Sequence, residues 1–178
     1  MLDALLDLLH DRATTPTSAE IADRAGLPRD ALGPYFADRD ALFDAAAERQ
    51  LERLRRFTAT MRTDGPFAAR LTAFVEARAA VLEAITPISD AAFRHEPPWD
   101  AVTRHNRSVH EVGAQIAEVF AVELARVVDT DRRSRLVATI AAATNGDAWA
   151  RLRHTHGLSV VAARRVLHRE LRARLKGN

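Results

Sequence analysis

The segment Pro16-Thr17-Ser18-Ala19-Glu20-Ile21-Ala22-Asp23-Arg24-Ala25-Gly26-Leu27-Pro28 carries the strongest local signals in the chain. Thr17 and Glu20 have the spacing of a capping box, in which the hydroxyl satisfies an exposed amide at the helix start and the carboxylate reaches back. A helix over 17–25 is therefore predicted. Ile21, Ala22 and Ala25 form its apolar stripe, and Gly26 can take the left-handed conformation that ends it. Leu27 is expected to plug the core, and Pro28 suits the first turn of a following helix. That second short helix, 28–36, carries Ala31, Leu32, Tyr35 and Phe36. Two short helices joined by a tight glycine turn, ahead of a long helix, outline a helix-turn-helix. A plain helical hairpin inside a bundle shares that spacing.

Outward from this segment the chain reads as helix nearly everywhere. Ala, Leu, Arg and Glu dominate, and the alternation that marks strands never extends over a whole segment. Breakers at Thr14 to Pro16, Gly26 to Pro28, Gly33-Pro34, Gly65-Pro66, Pro87, Pro97-Pro98, Asp129 to Asp131 and Gly157 delimit about nine helices. These are 2–12, 17–25, 28–36, 39–63, 67–85, 88–95, 100–128, 132–156 and 159–176. The fold class is all-α: an amino-terminal three-helix domain over 1–48 and a carboxyl-terminal helical domain over 49–178.

The 178 residues are 47% hydrophobic and 28% charged, enough to bury a core without covalent staples. The absence of cysteine excludes disulfides, thiolate nucleophiles and Cys-ligated metal centres. Asp3 and Asp7 stand where a signal peptide would carry Lys or Arg, and no run of about 18 apolar residues occurs. A cytoplasmic protein is expected.

A resemblance to the tetracycline-repressor (TetR) family rests on Ile21-Ala22-Asp23-Arg24-Ala25-Gly26-Leu27, Leu32, Tyr35-Phe36 and Asp38-Arg39-Asp40-Ala41-Leu42. Leu2-Asp3-Ala4 and Leu8-Leu9 resemble that family's first helix. Asn145-Gly146-Asp147-Ala148-Trp149 and His156-Gly157-Leu158-Ser159 match its carboxyl-terminal half more loosely. The resemblance implies an all-α homodimer that binds operator DNA through the helix-turn-helix and is released by a small-molecule effector. It places Thr17, Ser18, Arg29, Tyr35 and Arg39 at the DNA.

Three positions depart from the family pattern: Ala31, Gly33 and Pro34. A proline at about the sixth helical position costs about 3 kcal/mol and the glycine about 1 more, so a kink or break at Gly33 is predicted. Charge also opposes DNA. Residues 1–48 hold four arginines against ten acids, a net of −6, whereas the rest holds 22 basic and 14 acidic residues, a net of +8. Two functions thus stand within one fold: a working repressor, and a relative that has lost or altered DNA binding.

Other constellations point to binding and not to catalysis. The seven histidines lack metal-ligand spacing, His154 and His156 being two apart and His105 and His110 five apart. No phosphate loop, dinucleotide fingerprint or nucleophile elbow occurs, so no enzyme activity, metal or cofactor is expected; a small helical enzyme is a remote alternative. Phe74, Phe93, His95, Trp99, His105 and His110 gather aromatic and imidazole groups near the Pro97-Pro98 interruption and are the expected effector-binding residues. Phe74 and Phe93 equally fit a core at helical spacing. Leu136, Ile140 and Ala143, with Val160, Ala163, Leu167 and Leu171, run along two amphipathic helices as the expected four-helix dimer interface, unless they pack within their own chain.

Overall fold

The computed structural model describes residues 1–11, 16–28, 45–50, 52–53, 62–93 and 112–177. Among these residues every regular element is helical and none is a strand, so the fold is all-α. The elements are α1 (Leu2–Asp11), α2 (Ser18–Ala25), α3 (45–50, with 52–53) and α4 (Phe67–Phe93). They continue with α5 (112–119), α6 (Ala121–Ala125), α7 (Thr130–Ala143) and α8 (Gly146–Ala150), which runs into a π-helical turn at Arg151–Thr155. The last is α9 (Val160–Lys176). No helix among the described residues is long and apolar enough to cross a membrane.

Three boundaries differ from those read in the sequence. Pro87 was expected to end a helix, yet it sits inside α4, which runs on to Phe93; a proline removes one backbone bond, and the bonds on either side carry the helix through. The expected helix 100–128 is interrupted at Phe120, with φ −111° and ψ 26°. The expected helix 132–156 stops at Thr144. There Asn145 starts a new helix by accepting the Ala148 amide at 2.8 Å, a local bond that competes with helix continuation.

The chain forms two compact units, Met1–Arg56 with Glu83–Pro97, and Phe57–Leu82 with Pro98–Asn178. The smaller unit therefore takes in a later segment that a boundary at 48 leaves out. Its core joins Leu5, Leu6, Leu8 and Leu9 to Ile21, Ala22, Ala46 and Ile88.

The larger unit is built around Phe74 and Phe120, whose rings meet edge to face at 5.2 Å. Leu71, Leu82, Ile116, Leu124, Trp149 and the inward stripes of α7 and α9 complete this core. Leu136, Ile140, Ala163, Leu167 and Leu171 are buried in it, and the half-buried Ala143 and Val160 pack against it. The residues expected at a dimer surface thus lie in or against one chain's own core, where α7 and α9 pack on each other.

One ion pair is buried among the apolar groups. Arg70 and Glu123, each 5% exposed, meet as a fork, Nη2 to Oε1 at 2.6 Å and Nη1 to Oε2 at 3.0 Å. Arg70 also donates from Nη1 to the Val119 carbonyl and from Nε to Gly65 O at 3.1 Å. One guanidinium thus ties the entry to α4 to α5 and α6. Removing one partner of such a pair strands a charge away from water. Glu123→Ala is expected to lower the unfolding free energy by about 3–5 kcal/mol, measured by urea denaturation; a loss comparable to that of an exposed glutamate would contradict this role.

Candidate functional site

The smaller unit holds the sequence-predicted reader, and its geometry starts from caps. In the box at the start of α2, Glu20 N donates to Thr17 Oγ1 at 3.3 Å and Thr17 N donates to Glu20 Oε2 at 2.8 Å. The Thr17 hydroxyl also donates to that carboxylate, at 2.9 Å. At the other end Gly26 takes φ 66°, Gly26 N donates to Asp23 O, and Leu27 N donates to Ala22 O at 3.0 Å. This is the paired closure of a Schellman motif, which turns the chain sharply after two helical turns. Leu27 is 40% exposed and does not plug the core as expected, because the left-handed turn carries it outward.

Thr17 is exposed and Ser18 half-buried, so the start of α2 is open to solvent. Arg29, Tyr35 and Arg39, and the Gly33-Pro34 interruption, lie outside the described residues.

α1 is acidic on its outward side, and arginines from two other helices neutralise it. Arg49 Nε lies 3.2 Å and Arg53 Nη2 2.6 Å from Asp3 Oδ1, and Arg24 Nη2 lies 3.1 Å from Asp11 Oδ2. The hydrogen bond from Arg49, with the charges of Arg53 and Arg49, holds the Asp3 carboxyl below its ordinary value. Sequence reading missed this clamp. Its signal is the four-residue step between Arg49 and Arg53, which places both on one face of α3; their partner, 46 and 50 residues away, had no signal at all.

Beside the clamp lies a cleft of about 400 Å³. Leu6, Leu9, Ala84, Pro87 and Ile88 give it apolar walls, and Asp7, His10, Asp11, Arg24, Gln50 and Arg53 give it polar ones. Gln50 Oε1 is buried without a hydrogen-bond partner. Arg24 and Arg53 are already paired with carboxylates, so the cleft offers acceptors to a donor or cation and hydrocarbon to an apolar body.

Phe74, expected in an effector pocket, is instead fully buried core, because its ring is closed in by Phe120. The Phe93 side chain, His95, Trp99, His105 and His110 lie outside the described residues. Also in the larger unit, Arg78 is buried and donates from Nη2 to Thr144 O at 2.8 Å, while its Nε has no hydrogen-bond partner. Burial pushes its pKa down to about 10, so it keeps its charge at neutral pH. Among the described residues, no group of three His, Asp or Glu could hold a metal ion.

No family model matches the chain, and no solved structure matches it. Uncharacterized proteins of Mycobacterium bovis and of two strains of Mycobacterium tuberculosis are each 31% identical to it over 102 residues. The match takes in 54% of this chain and 12% of each relative, so the chain spans a small fraction of the curated proteins it resembles.

Two outcomes follow from the caps and the clamp. Gly26→Ala is expected to cost about 1–2 kcal/mol in thermal or urea unfolding, the penalty of a Cβ in the left-handed region; an unchanged midpoint would show that the turn tolerates another geometry. The Asp3 carboxyl, followed by NMR, is expected to titrate below 3.8 and to return toward 3.8 when Arg49 and Arg53 are both changed to Gln. Because the folded value is depressed, this stabilisation is present above Asp3's unfolded pKa and is lost as pH falls through the folded one; salt weakens it.

Proposed function

We propose that the chain is a ligand-responsive DNA-binding regulator similar to the tetracycline-repressor family, acting as a homodimeric repressor. The observation that carries this reading is the α1–α2 pair: two short helices on a shared leucine core, the second boxed by Thr17 and Glu20 and ended by the left-handed Gly26. Thr17 and Ser18 at the open start of α2, with Arg29, Tyr35 and Arg39, are the DNA-facing residues of this reading. Thr17 already gives its hydroxyl proton to Glu20, so it acts first as a cap and reaches a phosphate only by leaving that carboxylate.

The effector's seat in this reading is the cleft against α1. Its volume lies within the range of small-molecule sites, and its walls suit an apolar ligand carrying a hydrogen-bond donor or a cation. Occupancy would brace α1 against α3 and the end of α4, and so act directly on the reader.

Charge distribution favours a second reading, a relative with lost or altered DNA binding. The smaller unit counts 14 acidic against 9 basic residues, and phosphate neutralisation supplies most non-specific affinity. Fluorescence anisotropy with duplex DNA from upstream of the chain's own gene separates the two. A repressor is expected to bind that DNA in preference to unrelated sequence, to weaken as salt rises, and to lose the preference on Arg29→Gln. Equal binding to both sequences at micromolar protein would eliminate the repressor reading.

A further inference from the structure

The last helix divides its residues sharply between inside and outside. Ala163, Leu167, Leu171 and Leu175 are buried in the core of the larger unit. On the outward side Arg165, Arg169, Arg172 and Lys176 are exposed, at steps of four, three and four residues. At about 1.5 Å of rise per residue they make a cationic ridge about 16 Å long, matching the rise of roughly five nucleotides of one strand.

Among the described residues, two acids beside this ridge are engaged. Glu170 pairs with Arg174 at 2.7 Å, and Glu76 pairs with Arg164 at 2.9 Å. Among the described residues no ion pair reaches Arg165, Arg169 or Arg172. Lys176 is placed over the Phe67 ring, 5.3 Å from its centroid. Like charges one helical turn apart oppose helix formation, so the ridge is held against its own repulsion by the buried stripe beneath it. The whole unit shares the sign, with 17 basic against 10 acidic residues.

We propose that the outward face of α9 is a docking surface for the phosphodiester backbone of a nucleic acid. A lipid surface needs an amphipathic helix with an apolar face to insert, and the apolar face of α9 is inside the protein. A protein partner needs a buried aromatic or aliphatic anchor, and the ridge offers only Val161 at its start. What the ridge offers is arginine forks and charge, the groups that pair with phosphate oxygens and release counterions. The surface lies in the larger unit and does not depend on the helix-turn-helix reading.

The test uses the full chain and a short labelled duplex of arbitrary sequence, with affinity followed across about 50–200 mM salt. Changing Arg165, Arg169 and Arg172 together to Gln is expected to weaken binding at least tenfold at the low-salt end and to make the salt slope shallower by about 2.7. Arg169→Gln alone should give about one third of that change in slope, about 0.9, and serves if the triple variant folds poorly by circular dichroism. The proposal is overturned if the arginine variants bind the duplex like the unaltered protein, or if that protein binds with no salt dependence. It is overturned equally if phosphatidylserine vesicles or polyglutamate are bound through these arginines while the duplex is not.

Discussion

A helix of 3.6 residues per turn has one apolar stripe to commit, and in the larger unit every long helix commits it inward. Phe74 of α4 and Phe120, between α5 and α6, make the centre, and the stripes of α7 and α9 close over them. Burying each large side chain contributes about 1.5–3 kcal/mol, and here the chain's own core supplies that burial. The consequence is a surface made mostly of what is left over. On α9 that remainder is arginine.

The polar exceptions inside this core differ in kind. Arg70 and Glu123 satisfy one another, and the guanidinium's remaining donors reach backbone carbonyls, so the pair fixes the packing of three elements. Among the described residues Arg78 has a neutral carbonyl and no carboxylate beside it, so its charge is held in the core at a cost in desolvation.

The smaller unit works under a tighter limit. At ten and eight residues, α1 and α2 are shorter than isolated helices that persist in water. Caps, a leucine cluster and exposed Asp–Arg pairs supply what length does not. The same carboxylates that draw in Arg24, Arg49 and Arg53 leave the unit acidic, while the larger unit is basic. A polyanion therefore meets attraction on one unit and repulsion on the other, a polarity that the formal net charge of +2 conceals.

Much of this was legible in the linear chain because it is local. The Thr17–Glu20 box, the left-handed Gly26, the all-helical composition and the apolar stripe of α9 each depend on residues within a turn or two of one another, where propensity and sterics act alone. Pro87 inside α4 and the break at Phe120 were not legible, because surrounding packing outweighs a local preference of a few kcal/mol. Nor could periodicity say where a stripe points: Leu167 and Leu171 read the same whether they face their own chain or another. Only the tertiary structure turned them inward and put Arg49 and Arg53 beside Asp3, since contacts between distant segments are set by which surfaces fit once the helices exist.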